Sequence, residues 1–159
     1  DVHKKLAQIS PPTLLKVIAE IENGTAVYET QDESEVTFAK KLKKSDGYID
    51  WSESAETISN KIRGYTPWPG ARTDYVSGKM KKCSRVTITK SRVHGSDDNT
   101  GQYGMLDEDL YVICGTDKLE ILELKPAGKG LMSFKAFANG RGLRPSDTFI
   151  TIEKAKQNA

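Results

Sequence analysis

Two stretches of the sequence are rich in lysine and arginine and contain no acidic residue, a composition that suits the binding of phosphate groups. They span residues 79–92 and 125–144. If the fold brings them together they would form one positive face, whereas scattered lysines that merely solvate the surface are the alternative. The cations are Lys79, Lys81, Lys82, Arg85, Lys90 and Arg92 in the first stretch, and Lys125, Lys129, Lys135, Arg141 and Arg144 in the second.

Residues able to do covalent or metal chemistry are few, and their spacing does not support it. Neither His3 nor His94 has a nucleophile or a metal-spaced partner nearby in the sequence. Cys83 and Cys114 lie far apart without a Cys-x-x-Cys motif, so we expect two free thiols rather than a zinc site or a disulfide. Gly128-Lys129-Gly130 lacks the strand, loop and helix of a phosphate-binding loop. We expect no catalytic residue and no metal site.

Length and composition indicate a small globular protein. The 159 residues are 36% hydrophobic, enough for one core or for one small domain with an appended segment. No run approaches the roughly 20 apolar residues that span a bilayer, and residues 1–5 lack an apolar signal core. We therefore expect a cytoplasmic protein without membrane contact. The net charge of +2 does not by itself identify a nucleic-acid binder.

The clearest helix signal lies between residues 49 and 71. Asp50 or Ser52 can cap a helix there, and Gly64 is placed to end it. Apolar residues follow the cap at three- to four-residue spacing, as on the buried face of an amphipathic helix. They are Ala55, Ile58 and Ile62.

Two tryptophans flank this helix. Pro67 and Pro69 fix the backbone on both sides of Trp68, which makes it a rigid position. We interpret Trp51 and Trp68 as structural anchors that pin the helix to the domain core, in preference to ligand contacts. Arg63, near the predicted end of the helix, is assigned to the same structural group.

The first part of the chain predicts a second helix and a connector. Ser10 can cap a helix from about Pro11 to Glu22, because proline is tolerated in the first turn. Asn23-Gly24 would end it. Residues 29–46 are charged and poor in large aliphatic side chains, as expected for a solvated connector.

From residue 72 onward, short runs of branched and aromatic residues alternate with glycine and polar turns. Five strands are predicted, at residues 72–76, 83–89, 101–106, 110–114 and 119–124, with a hairpin turn at 115–117. Ser133 should cap a short helix over residues 134–138, with Phe134 and Phe137 plugging the barrel end. A final strand follows around residues 148–152. Five short strands fit an OB-like barrel.

Four blocks in the same order resemble the C-terminal part of methionyl-tRNA formyltransferases. The first block is Ile-Asp-Trp, then Ile-Arg-Gly and Pro-Trp-Pro-Gly-Ala, within residues 49–71. The others are Gln-Asp-Glu, Val-Thr-Phe-Ala and Lys-Leu-x-Lys within 31–44, Leu-Glu-Leu-Lys-Pro-Ala-Gly-Lys at 122–129 with Met-Ser at 132–133, and Asn-Gly-Arg with Leu-Arg-Pro within 139–145.

The resemblance implies four segments. Residues 1–28 would be the last helix and a strand remnant of an α/β formyltransferase catalytic domain, and 29–47 the interdomain linker. Residues 48–152 would form a mainly β, five-stranded OB-like domain with short helices, and 153–159 a polar tail. The chain would then begin inside the catalytic domain.

The resemblance also implies a function. The intact enzyme would formylate the amino group of methionyl initiator tRNA with 10-formyltetrahydrofolate, for translation initiation. The family's catalytic Asn, His and Asp cannot be placed in this sequence, so the chain alone is expected to be inactive and to hold no cofactor. Its expected partners are initiator tRNA and the missing N-terminal catalytic domain, and we expect a monomer.

Eight cations are the predicted tRNA-backbone contacts. Lys41, Lys44, Lys129 and Arg141 lie in blocks that match the family, whereas the remaining four are assigned on charge alone. Those four are Lys79, Lys81, Lys82 and Arg85.

Two other functions remain open. The same C-terminal subdomain occurs in related folate-dependent enzymes that act on small molecules, such as formyltetrahydrofolate dehydrogenases and sugar-nucleotide formyltransferases, where the barrel binds no RNA. A purely structural module that packs on the catalytic domain is the third possibility. Trp68 within Pro-Trp-Pro-Gly favours the tRNA enzyme.

Overall fold

The computed structural model describes residues 2–78, 83–95 and 101–152, and the chain forms two compact units. One unit extends to Lys40 and the other begins at Lys41. The predicted tail at 153–159 lies outside the described residues. The four segment boundaries proposed above stay predictions.

The first unit contains one long helix, α1, which spans Val2–Glu22. The predicted start at Pro11 is wrong, because the helix passes through Pro11 and Pro12. The Ser10 hydroxyl donates a hydrogen bond to the Leu6 carbonyl oxygen at 2.7 Å instead of capping a helix. Since no residue of α1 is buried, water can satisfy the carbonyl groups that lose a donor at the prolines.

The rest of the first unit is largely irregular. Gly24 adopts a positive φ of 68° directly after α1, and a single 3₁₀ turn follows at Glu33–Glu35. The Asp32 carboxylate caps that turn by accepting a hydrogen bond from the Ser34 N–H at 2.8 Å. None of the helices in the described part of the chain is long and apolar enough to cross a membrane.

The second unit contains the predicted amphipathic helix, α2, at Ala55–Tyr65. Its N-cap is Ser54, whose hydroxyl accepts a hydrogen bond from the Thr57 N–H at 3.2 Å. Asp50 instead accepts from the Ser52 N–H at 3.0 Å in the preceding turn, and Gly64 lies inside the helix. The cap and the stop were therefore predicted wrongly. The buried face is confirmed, and it comprises Ala55, Ile58 and Ile62.

Six strands follow and form one antiparallel sheet. Their order across the sheet is β3-β4-β2-β1-β6, and β5 pairs with β4. The strands are β1 Ala71–Val76, β2 Cys83–His94, β3 Val112–Ile113, β4 Lys118–Pro126, β5 Met132–Ser133 and β6 Thr148–Ile150. The register between β2 and β4 shifts around Thr89 and Lys90, as at a β-bulge.

The segment Gly104–Leu106 joins the two edge strands. The regular strand predicted at 101–106 is wrong, since the segment makes only single bridges, between Met105 and Thr148 and between Leu106 and Val112. The Leu106 N–H donates to the Asp147 carbonyl at 2.8 Å on one side, and the Ile113 N–H donates to the Met105 carbonyl at 2.9 Å on the other. These bonds close the sheet into a nearly complete barrel. The predicted OB-like fold class is confirmed.

The helix α3, at Phe134–Arg141, packs against β4 and β5. Ser133 caps it as predicted, accepting from the Ala136 N–H at 3.2 Å. The helix ends later than predicted, at Arg141, and Gly142 caps it with a φ of 62°. Phe137 is buried and its ring meets Tyr75 edge-on at 5.5 Å, whereas Phe134 is only partly buried.

The core is built around Trp51, which is 2% exposed. Its indole N–H donates to the Thr73 hydroxyl at 3.0 Å, and that hydroxyl donates to the Ile150 carbonyl at 2.8 Å. The ring also packs against Phe149 at 6.0 Å. The segment before α2 is therefore attached to both β1 and β6.

Closure of the barrel can be tested at Gly104. This residue has a φ of 83°, and a Cβ there would overlap the carbonyl oxygen of Phe149. We expect Gly104→Ala to lower the free energy of unfolding by about 2 kcal/mol or more in urea denaturation.

The matched control is Gly64→Ala, in α2, where nothing lies within 4 Å of the added Cβ. This variant should unfold at the same or slightly higher urea concentration, with a gain of up to about 1 kcal/mol. Equal stability of the two variants would contradict the closure described above.

Candidate nucleic-acid interface

The predicted contact residues are distributed over several elements of the second unit. Lys41 and Lys44 are exposed, and Lys44 begins a 3₁₀ turn at Lys44–Gly47. Lys129 is exposed in the turn that follows β4, where its N–H donates to the Pro126 carbonyl at 3.0 Å. The remaining lysines, Lys79, Lys81 and Lys82, lie outside the described residues.

Arg85 is an exposed residue of β2, but its charge is partly neutralised. The guanidinium donates two hydrogen bonds to the Asp74 carboxylate on β1, at 2.9 and 3.0 Å. This fork-like contact raises the pKa of Arg85 above its ordinary value. A phosphate at this position would therefore compete with Asp74. This pairing could not be predicted from the first stretch, because Asp74 lies outside it.

Arg141 lies at the end of α3 and faces β2. Its Nη1 donates to the Ser84 hydroxyl oxygen at 3.1 Å, and its guanidinium carbon lies 5.7 Å from the centre of the Phe137 ring. Neither contact neutralises the charge. The side chain is held in place while remaining able to pair with an anion.

Arg141 and Arg144 line the same cleft, which has a volume of about 410 Å³. The cleft lies between the end of β1 and the turn after α3, and Arg144 is exposed. We call it the arginine cleft. Its lining comprises Ser77, Gly78, Arg141, Gly142, Arg144, Pro145, Ser146 and Asp147.

Asp147 holds the arginine cleft together and was not predicted from the sequence. It is 5% exposed. Its Oδ2 accepts from the Tyr75 hydroxyl at 2.7 Å and from the Arg144 N–H at 3.1 Å, and its Oδ1 accepts from the Gly78 N–H at 2.9 Å. One carboxylate thus fixes the end of β1 and the turn that carries Arg144. The only sequence signal was an aspartate in a polar turn.

The two acid-poor stretches meet along β2. The Ala127 N–H, in the second stretch, donates to the Arg85 carbonyl oxygen at 2.9 Å. The neighbouring residue Ser84 receives the hydrogen bond from Arg141. Adjacent residues of a strand point to opposite faces of the sheet. Arg85 therefore points to the outer face, whereas Ser84 points to the other face and contacts Arg141 at the end of the barrel.

Cations at the other end of the same strands are paired with acids. Lys90 lies 3.8 Å from Glu123, Arg92 lies 3.2 Å from Glu120, and Lys118 lies 3.0 Å from Asp107. The acids come from β4 and from the loop before β3, so no pattern within the first stretch could show these pairs. Arg141 and Arg144, which line the arginine cleft, form no such pair among the described residues.

A row of polar side chains crosses three strands on the outer side of the sheet. Arg72 on β1 is paired in register with Thr87 on β2, and Thr87 is paired with Lys125 on β4. The next row contains Asp74 and Arg85. We call these five residues the outer sheet face.

Trp68 is 52% exposed and belongs to a turn that contacts Arg72 of the outer sheet face. The interpretation of Trp68 as an anchor in the core is therefore wrong, although Trp51 is buried as expected. Arg63, in the last turn of α2, is exposed and contacts only the Asn60 side chain among the described hydrogen bonds. Proline spacing predicts a rigid backbone but not the direction of the ring between the prolines, which explains the error.

The cysteines and histidines show no arrangement for catalysis. Cys114 is buried, and burial raises the pKa of its thiol to about 12, which leaves it protonated and unreactive near neutral pH. His94 packs against the Tyr111 ring at 4.6 Å. Within residues 2–78, 83–95 and 101–152, no group of His, Cys, Asp or Glu side chains could hold a metal ion.

The contact between Tyr75 and Asp147 predicts a loss of stability at alkaline pH. Burial, and then the hydrogen bond to Asp147, raise the pKa of Tyr75 from 10.0 to about 12. The folded protein therefore retains this proton where the unfolded chain releases it. The contribution to the free energy of unfolding is complete below pH 10 and should be lost as the pH rises towards 12.

We expect Tyr75→Phe to show a shallower decrease in the free energy of unfolding across this alkaline range, measured by urea titration at several pH values. The matched control is Tyr103→Phe, because Tyr103 is 51% exposed. The control should keep the wild-type slope. Identical slopes for both variants would show that Tyr75 does not hold its proton as described.

Comparison with known proteins identifies the family. The family model described as formyl transferase, C-terminal domain, matches residues 41–142. A methionyl-tRNA formyltransferase from Solibacter usitatus is 36% identical over 149 residues, which cover 92% of this chain and 46% of the relative. One from Citrifermentans bemidjiense is 35% identical, covering 91% and 44%, and one from Symbiobacterium thermophilum is 32% identical, covering 96% and 47%.

This chain spans about half the length of these curated relatives. The resemblance to the C-terminal part of methionyl-tRNA formyltransferases is thereby confirmed, and the family is one of transferases. The chain belongs to the formyl transferase C-terminal domain family.

Proposed function

We propose that this chain is the tRNA-holding part of a methionyl-tRNA formyltransferase. The observation that carries the proposal is the arginine cleft, which Arg141 and Arg144 both line without an ion pair to an acid among the described residues. The relatives named above supply the identity of the RNA, since they are named as methionyl-tRNA enzymes.

The cations at this end are available to phosphates. Arg85 is the exception, because it is paired with Asp74. The other cations named below form no ion pair with an acid among the described residues. In contrast, Lys90, Arg92 and Lys118, at the opposite end of the strands, are each paired with an acid, which weakens their attraction for a polyanion. The unpaired cations in the second stretch are Lys125, Lys129, Lys135, Arg141 and Arg144, and those near the start of the second unit include Lys41 and Lys44.

Recognition should depend on shape and phosphate rather than on base sequence. Lysine offers a point charge on a flexible stem, which suits backbone contact, whereas arginine can bind two phosphate oxygens at once. Arg141 is already oriented by Ser84 and Phe137, and the backbone of Arg144 by Asp147. Arg141 would therefore meet a phosphate with little loss of side-chain freedom, and the backbone position of Arg144 is fixed beside it.

The whole protein would transfer a formyl group from 10-formyltetrahydrofolate to the amino group of methionyl initiator tRNA. Formyl transfer to an amine needs a base for the amine proton and donors for the developing oxyanion. We place those residues, and the folate, in the half of the protein that this chain does not cover. On this proposal the chain holds tRNA in the cytoplasm, as a monomer, and is inactive alone.

The proposal is tested by titrating the chain with initiator tRNA at low and at moderate salt, with a duplex DNA of similar charge as the control. We expect binding that prefers the tRNA and weakens steeply as salt increases, because counterions are released from the phosphates. Absence of binding at both salt concentrations would favour a small-molecule enzyme or a structural module.

Two substitutions test which end of the barrel contacts the tRNA. We expect Arg141→Gln to weaken tRNA binding and to reduce the slope of log K against log salt by about one, as for loss of one phosphate contact. Arg92→Gln is the matched control, because Arg92 is 70% exposed but paired with Glu120 at the other end of β2. Equal effects of the two substitutions would place the tRNA elsewhere.

A further inference from the structure

Trp68 is an exposed aromatic ring on a fixed backbone. Pro67 and Pro69 restrict the chain on both sides, and Pro69 and Gly70 are themselves buried. The Gly70 N–H donates to the Tyr65 carbonyl at 2.9 Å, which ties the turn to the end of α2. A large apolar ring is thus presented to solvent at 52% exposure without being free to collapse into the core.

The turn that carries Trp68 is attached to the outer sheet face. Nη2 of Arg72 donates to the Pro69 carbonyl oxygen at 2.7 Å. A Cβ on Gly70 would come within 3.0 Å of the Thr87 methyl group and 4.0 Å of the Arg72 Nε. The side chains of Arg72 and Thr87 therefore lie directly against the turn.

Positive charge continues from this turn across the sheet. Thr87 is in register with Lys125, which is exposed and has no acid partner among the described residues. Adjacent strands lie roughly 4.8 Å apart, so Lys125 lies about 10 Å across the sheet from Arg72. The turn that carries Trp68 is thus followed by two cations and a hydroxyl in one row.

We propose that Trp68 and the outer sheet face bind unpaired nucleotides of RNA, with a base stacked on the Trp68 ring and the adjoining phosphates held by Arg72 and Lys125. The inference rests on the proposed function in one respect: it takes RNA as the polyanion that this domain binds. It goes beyond that function because it adds a contact to a base, whereas the arginine cleft offers contacts to phosphates alone.

The chemistry of the surface selects this ligand. An apolar protein partner would leave the cations without counter-charges, whereas RNA provides both an aromatic face and phosphates. A duplex keeps its bases stacked on one another, so only unpaired nucleotides can offer a base to the ring. Every base has such a face, so the site should tolerate different sequences.

Intrinsic fluorescence provides a direct test in the wild-type chain. The sequence contains two tryptophans, and only Trp68 is exposed, since Trp51 is buried. We expect a short unpaired RNA to quench Trp68 fluorescence on binding, while an RNA of equal length without bases does not. Quenching that is identical with both RNAs would overturn the proposal.

Variants separate stacking from charge. We expect Trp68→Leu to weaken binding of the unpaired RNA about 5- to 150-fold, the range for loss of one base stacked on an aromatic ring. Trp68→Phe should recover part of the loss, and binding of duplex RNA should change little in either variant. The matched control, Tyr103→Leu, removes another exposed aromatic ring, 51% exposed, and should bind as the wild type does.

The outcomes distinguish this inference from the proposed function. If Trp68→Leu binds unpaired RNA as tightly as the wild type, while tRNA still binds in a salt-dependent manner, the stacking site is wrong and the proposed function stands. Equal weakening of unpaired and duplex RNA would also overturn the stacking site. The substitution would then affect RNA binding through the structure of the domain rather than through loss of a stacked base. Emission from the buried Trp51 reports whether the variant remains folded. A wild-type chain that binds no RNA would overturn both.

Discussion

The carboxylate of Asp147 is the contact on which the basic end of the barrel depends. It is almost fully buried, and donors from Tyr75, Gly78 and Arg144 surround it. A desolvated carboxylate requires such donors, because each one lost leaves charge without compensation. The same three bonds connect the end of β1 to the turn after α3. The arginine cleft is therefore shaped by the fold before any ligand arrives.

The positions of the charges, rather than the net charge, determine where a polyanion would bind to this domain. A net charge of +2 would attract a polyanion weakly if the charges were evenly mixed. The acids of β4 instead neutralise Lys90 and Arg92, while Arg141 is held by a hydroxyl and an aromatic ring, which leave its charge intact. On the proposed function, the tRNA backbone approaches the end where Arg141 lies, and the half of the protein beyond this chain performs the transfer.

Local sequence predicted the buried face of a helix and one cap, although it misplaced the start of α1 and both ends of α2. Features set by distant partners were not predicted at all. The buried face of α2 and the Ser133 cap follow from spacing within a few residues, and both were confirmed. Asp147 meets Tyr75 and Gly78 from 72 and 69 residues away, so no local pattern could identify it. Trp68 failed for another reason, because flanking prolines determine the rigidity of a backbone but not which side of a ring meets water.

The most direct test of this account is to map, by nuclear magnetic resonance of the labelled chain, which backbone amide signals shift when initiator tRNA is added. We expect shifts around Gly78, Ser84 and the segment 125–144, with little change near Arg92 and Glu120 at the opposite end of the barrel. Shifts centred on that opposite end, or none at all, would contradict the claim that the unpaired cations around the arginine cleft hold the tRNA.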